Sequence, residues 1–169
     1  MNSEARAQPQ DPHPSASEAE GLAASRVHDR DRLLALRRSG LLDSRQEEAF
    51  DRLTRRACDA IGVPVALVSL VDADRQFFKS AQGLREPFAS ARQTPLSHSF
   101  CRYVVAGERP LVVPDAREVP FLAGNPGITD LAMIGYAGVP LCAHGFVLGA
   151  FCAIDGRPHE WSAEDLGIL

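Results

Sequence analysis

Lysine is almost missing from this chain of 169 residues: Lys79 stands alone, and every other basic side chain among the eighteen is an arginine. Against twenty-two Asp and Glu residues the formal net charge is −4, so there is no sequence-wide positive field to hold a polyphosphate backbone. A nucleic-acid partner is not expected. Aromatic residues are also few, at 7%, yet the hydrophobic share of 45% is that of an ordinary globular chain. No stretch approaches the roughly 18 uninterrupted apolar residues of a membrane span, and the start of the chain lacks a charged segment followed by an apolar run. A soluble, cytoplasmic protein without a membrane partner is expected.

Chemical motifs are scarce too. Cys58, Cys101, Cys142 and Cys152 lie at long spacings with no C-x-x-C, which supports neither a zinc ribbon nor a dense disulfide framework, so reduced thiols are expected. A metal held by His98 and Cys101 would need two further ligands, and no metal site is expected. Ser-His-Asp order, a paired-carboxylate signature, a Gly-rich phosphate loop and H-E-x-x-H are all absent, so an autonomous enzyme is not expected. No internal repeat is visible.

What is present fits one domain, since about 150 residues is the usual prior for a single unit. Residues 1–27 are rich in Pro, Ala, Ser, Glu and Gln and lack aromatics, which predicts a disordered tail; the domain is placed at 28–169. A short helix through Leu33, Leu34 and Leu36 ends near Gly40. A longer one is predicted to start from a capping box of Ser44 and Glu47, bury Phe50, Leu53, Ala57 and Ile61, and stop at Gly62. Val63–Val71 is apolar and largely β-branched, as in a central strand, and Arg75–Gly83 returns antiparallel to it. Leu84–Thr94 is predicted to be loop, and Ser97 caps a second helix ending at Gly107.

Pro110–Ala116 is a short strand, followed by a long stretch broken by Pro and Gly. Two apolar runs then face each other across His144-Gly145, a hairpin whose alternation puts Leu148, Ala150, Cys152 and Ile154 on one face and Val147, Phe151 and Ala153 on the other. Pro140 within the first run implies an edge or a bulge. Ser162 caps a final helix, with Glu164 and Asp165 at its positive end. The order predicts an α+β layered domain with helices packed on an antiparallel sheet.

The runs EEAFDRLTRRACDAIGVPVALVSLVDADRQFFKS, PLSHSFCRYVVAGERPLVVPDA, GYAGVPL, VLGAFCAID and SAEDL closely resemble a GAF domain of the bacterial subgroup with an S-H-S-F-C helix, over about Arg32 to Leu169. The resemblance implies a profilin-like layered fold: a central antiparallel sheet of about five to six strands flanked by helices, with a small-molecule pocket in front. It also implies a sensory or regulatory role, a homodimer through the terminal helices, and an effector such as a histidine kinase, a diguanylate cyclase or a PP2C-type phosphatase. The N-K-x-F…D-E pattern of cyclic-nucleotide-binding members and the D-I-P and Cys-His pattern of bilin-binding members have no counterpart, so the ligand stays unassigned.

Helix geometry puts His98, Cys101, Arg102 and Val105 on one stripe, at i, i+3, i+4 and i+7. That stripe either borders a pocket, with His98 and Arg102 as donors to an anionic or carbonyl ligand and Cys101 as a redox-sensitive thiol, or it is a half-buried face. In the second case the cysteine packs as a small hydrophobe and the arginine reaches solvent. Asp115 stands where a strand meets the long loop, as a ligand contact or a turn cap. Phe121 and Tyr136 could wall a pocket or fill core. With Phe78, the candidate pocket residues are therefore Phe78, His98, Cys101, Arg102, Asp115, Phe121 and Tyr136.

Two other readings compete with sensing. One is a dimerisation or scaffold module whose interior is filled by its own side chains; a collapsed, dry interior between the helix from Ser97 to Ala106 and the sheet would sink the sensing idea. The other is an enzyme similar to the GAF-type free methionine sulfoxide reductases, with Cys101 as the one candidate nucleophile. Under the redox version an oxidant is expected to reach Cys101 before the other thiols, because of its His and Arg neighbours. The final helix, about eight residues from Ser162, is short for a signalling coiled coil, so a fragment or output-less remnant is expected, with apolar surface at Leu166-Gly167-Ile168-Leu169.

Overall fold

A computed structural model describes residues 14–169. In chain order the elements are α1 (Ala16–Val27), α2 (Arg30–Arg38), α3 (Glu48–Ile61), β1 (Val65–Val71), β2 (Arg75–Gln82), α4 (Phe88–Ala91), β3 (Gln93–Pro95) and a 3-10 turn (Leu96–His98). They continue with α5 (Cys101–Gly107), β4 (Leu111–Val113), a second 3-10 turn (Ala116–Glu118), α6 (Gly127–Asp130), β5 (Gly135–Ala143), β6 (Phe146–Asp155) and α7 (Ala163–Ile168).

The strands form one antiparallel sheet in the order β3-β2-β1-β6-β5-β4, an α+β architecture of the class the element order predicts. On the front face α5 packs against β1, β5 and β6, and α1 stacks on the outside of α5. Behind the sheet lie α2 and α3, with α7 against α3. The β5–β6 turn at His144-Gly145 has φ of 54° and 81°, the pair of left-handed residues that a two-residue hairpin of matching twist requires. Pro140 meets both of its expected conditions: β4 pairs with β5 only from Tyr136 to Gly138, and the β5–β6 register shifts after Leu141.

The helices depart from expectation in four places. Part of the predicted tail is helical: α1 is capped by Ser15, which together with Glu18 makes a complete capping box, and it buries Ala19, Ala23 and Val27. Residues 1–13 of that tail lie outside the described residues. Ser44 caps nothing; its hydroxyl donates to the Leu41 carbonyl at 2.7 Å, and α3 starts from Glu47 without a side-chain cap. On α3, Phe50, Ala57 and Ile61 pack against the sheet as expected, but Leu53 is 49% exposed and Thr54 is buried in its place. Third, the helix expected from Ser97 is broken at Ser99, whose backbone is extended (ψ 122°), so His98 belongs to the 3-10 turn and the four-residue stripe does not form. The segment expected to be loop before Thr94 also holds α4 and the start of β3.

Two register shifts set which side chains face the helices. Val68 pairs with Ser80 and Ser69 with Phe78, leaving Lys79 as an extra residue, so that Lys79 and Ser80 both face α3. There Lys79 Nζ donates to Ser44 Oγ, the Arg45 carbonyl and Glu47 Oε1 at 2.5–2.7 Å, while Ser80 Oγ donates to Asp51 Oδ1 at 2.6 Å. The second shift leaves Leu148 unpaired between Val147 and Gly149. Leu148 therefore packs behind the sheet with Leu36 and Phe77, and Val147 joins Ala150, Cys152 and Ile154 in front, which corrects the simple alternation.

Arg32 closes the corner between α1 and α2. Its buried guanidinium donates to the Val27 carbonyl and, at 2.8 Å, to the Val71 carbonyl at the end of β1, so it satisfies two strand- and helix-end acceptors at once.

Candidate functional site

The seven candidate residues fall into four separate places. Phe78, Cys101 and Tyr136 meet in the front core. Tyr136 is fully buried on β5, and its ring lies across Gly138, where a Cβ would stand only 2.3 Å from the hydroxyl oxygen. Gly138 in turn pairs with Cys152 on β6, so the Tyr136 side chain is aimed at the sulfurs. Its hydroxyl donates to Cys101 Sγ at 3.3 Å, and Cys101 Sγ lies 3.9 Å from Cys152 Sγ. Phe100 meets the Tyr136 ring edge-on, with centroids 5.4 Å apart. These side chains fill the space between α5 and the sheet: Phe78, Phe100, Cys101, Tyr136 and Cys152 are each at most 2% exposed.

The hydrogen bond with Cys152 and those from Tyr136 and Ser69 lower the Cys101 thiol against the opposing effect of burial. Cys152 moves up, because of the same contact with Cys101 and then burial. Burial, followed by the neighbouring sulfurs, raises the Tyr136 phenol. Beside this cluster runs a buried polar network: Gln76 Oε1 accepts from Ser99 Oγ at 2.8 Å and Ser69 Oγ at 3.2 Å, while its Nε2 donates to Thr94 Oγ1 at 2.8 Å.

The other candidates are engaged elsewhere. His98 Nε2 lies 2.9 Å from Asp130 Oδ2, and its hydrogen bond holds that carboxyl below its usual value. Arg102 pairs with Glu20 of α1 and with the Tyr103 hydroxyl, and its buried Nε has no partner among the described residues. Asp115 accepts from the backbone and guanidinium of Arg117 and caps the second 3-10 turn, the bland alternative for this position. Neither His98 nor Arg102 bonds to Cys101, so the neighbours invoked for its reactivity do not supply it.

Phe121 meets the Tyr103 ring at a tilt of 59°, with centroids 4.8 Å apart, and lines a cavity of about 470 Å³ on the outer side of α5. Tyr103, Trp161 and Pro110 supply its apolar walls, and Arg109 and Glu160 its charges. Trp161 is fixed by an Nε1 hydrogen bond to the Val113 carbonyl at 3.0 Å. A smaller cavity of about 180 Å³ opens beside Asp130 and Arg85 at one end of β1. Among the described residues no three His, Cys, Asp or Glu side chains converge as metal ligands, and no helix is long and apolar enough to cross a membrane.

Comparison with known proteins decides the family: the model of the GAF domain matches residues 45–169. This chain belongs to the GAF family. The GAF domain is 36% identical over 138 residues to the cyclic di-GMP phosphodiesterase PA2567 of Pseudomonas aeruginosa, a match over 77% of this chain. It spans about a fifth of that relative, 22% of its length. Among solved structures, the GAF domain of a phosphoenolpyruvate-protein phosphotransferase from Coxiella burnetii superposes with a TM-score of 0.60 at 19% identity, covering 86% of each chain. A domain of a putative two-component sensor histidine kinase from Sinorhizobium meliloti gives 0.53 at 21% identity, covering 74% of this chain and 83% of that one. At such identities the structural likeness speaks for the fold alone.

Cys152, Tyr103 and Trp161 are the site residues that sequence reasoning missed. The partnership of Cys152 with Cys101 depends on β6 lying at the centre of the sheet under α5, and no local pattern announces that. The GAF domain also grades its thiols by exposure. Cys142 is exposed, while burial followed by the Asp59 charge pushes Cys58 up to about 11. Iodoacetamide, too bulky to enter the filled front core, is expected to label Cys142 first in the folded protein, Cys58 more slowly, and Cys101 and Cys152 only as the domain unfolds. Peptide mass mapping of a time course checks this order; early labelling of Cys101 would contradict it.

Proposed function

We propose that this chain is the regulatory module of a larger signalling protein, receiving a small molecule or a redox change and passing it to an effector without catalysing a reaction itself. The observation that carries this reading is the match to the Pseudomonas relative: the family unit occupies a minor part of a protein whose name assigns a phosphodiesterase activity on a second messenger. A cyclic di-GMP phosphodiesterase thus joins the histidine kinase, diguanylate cyclase and PP2C-type phosphatase as effector classes. A cytoplasmic setting and a homodimer through the terminal helices belong to the same proposal.

The filled interior beneath α5 removes the pocket expected there, so we put the small molecule outside that helix instead. The cavity beside Trp161 offers aromatic walls for an apolar body and the Arg109 guanidinium for a carboxylate. Trp161 is the chain's one tryptophan, so its fluorescence reports occupancy. Titration with a panel of small aromatic and branched-chain carboxylates is expected to give a saturable change, weakened at least about tenfold by Arg109→Ala, as loss of a charge-assisted hydrogen bond implies. Absence of any saturable change across the panel would remove the cavity as a ligand site.

The filled interior favours one competing reading, a scaffold module that senses nothing. Its signature is an effector output that responds to deletion of the domain and to no small molecule or oxidant.

A further inference from the structure

Two thiols from distant parts of the chain touch inside the front core. Cys101 opens α5 and Cys152 lies in the middle of β6, with sulfurs 3.9 Å apart and the residues 2% and 0% exposed. Alanine or valine at these two positions would leave the fully buried Tyr136 hydroxyl without an acceptor. Instead Tyr136 is laid across Gly138, which has no side chain to obstruct it, and donates its hydrogen bond to Cys101 Sγ. A buried donor aimed at a sulfur stabilises that sulfur as a thiolate, the form that attacks. The other two thiols stand apart from this contact, Cys58 behind the sheet in the α3 cluster and Cys142 exposed near the end of β5.

We propose that Cys101 and Cys152 are a covalent modification site that forms a reversible disulfide when the folded chain meets a peroxide, tying α5 to β6. Cys101 thiolate attacks one peroxide oxygen, the O–O bond breaks, and the other oxygen leaves as water or alcohol after taking a proton. Cys101 is then a sulfenic acid. The Cys152 sulfur attacks Cys101 Sγ, the S–O bond breaks, and the hydroxyl leaves as water with the Cys152 proton. Two thiols are oxidised by two electrons and one peroxide is reduced. The sulfurs close from 3.9 Å to about 2.05 Å by side-chain rotation and a small shift of α5 toward the sheet. That shift moves the helix on which α1 is stacked. A dithiol reductant restores both thiols by exchange. The inference rests on the redox branch of the function proposed above, and it names the second thiol and the bond.

The test uses the full chain with Cys58→Ser and Cys142→Ser, so that the two remaining thiols are the pair. Hydrogen peroxide is added to the folded protein, which is then unfolded in the presence of N-ethylmaleimide and weighed intact. The expected product is lighter by two hydrogens and carries no maleimide, while dithiothreitol beforehand gives two adducts. The cross-linked form is expected to melt higher, on the order of 5 °C, because a long loop of the unfolded chain is closed. In a Cys152→Ala version the sulfenic acid has no thiol to meet, and dimedone is expected to trap it on Cys101. Two maleimide adducts after a peroxide dose that fully oxidises Cys142 in the parent chain would overturn the proposal, as would sulfinic acid at Cys101 without the link. A link that forms in the full signalling protein while its output stays constant would leave the site standing and overturn the redox branch.

Discussion

Gly149→Ala is expected to cost about 3 kcal/mol or more of folding stability, the upper range for forced overpacking. A Cβ at this position would stand 1.9 Å from the Ser69 carbonyl oxygen and 2.9 Å from Leu70 Cα. Those are backbone atoms of β1, bonded into the centre of the sheet, so no side chain can swing aside. Relief would require β1 and β6 to separate where Leu70 pairs with Gly149, beside the unpaired Leu148. Urea unfolding with an unchanged m-value checks the figure. A loss under about 1 kcal/mol would mean that the two strands approach less closely than described.

The second large effect concerns the chain's one lysine. Lys79 is fully buried behind the sheet, 5.2 Å from the centre of the Phe50 ring, and its counter-ion is Glu47, whose side chain is 55% exposed. Glu47→Ala removes the counter-ion and leaves the buried ammonium with the neutral Ser44 hydroxyl and Arg45 carbonyl as its partners. A loss of about 2–3 kcal/mol is expected, below the figure for a fully enclosed pair because Glu47 faces solvent. Lys79→Met keeps the length of the side chain and removes the charge, at an expected cost of about 1 kcal/mol, because water can serve the exposed acceptors it abandons. Combining the two should cost little more than Lys79→Met alone. A double-mutant cycle by denaturation decides it, and the idea fails if Lys79→Met is the more damaging single change.

Periodicity and turn chemistry made much of this fold legible. The apolar run Val63–Val71 contains β1, His144-Gly145 is the hairpin turn, Gly62 ends α3 in a left-handed conformation, and Ser162 caps α7. Helix α1 was hidden because its buried face is two alanines and a valine, too little hydrophobic contrast to register, although Ser15 and Glu18 spell its capping box. The two unpaired strand residues, Lys79 and Leu148, are invisible to any local pattern, because a bulge is a relation between strands and each one flips a side chain. The same reason separates the expected site from the observed one. A continuous helix would align His98 with Cys101, but the extended backbone at Ser99, held by its buried hydroxyl bond to Gln76, turns His98 toward Asp130.

Burial of Lys79 also governs how the molecule meets reagents and enzymes that act on amines. The folded chain offers no side-chain amine to acetyl or ubiquityl transfer, to succinimide dyes or to amine cross-linkers, since its single one is fully covered. Side-chain acylation is therefore a record of unfolding: each molecule modified at Lys79 is one in which the bulged strand β2 had parted from the segment preceding α3.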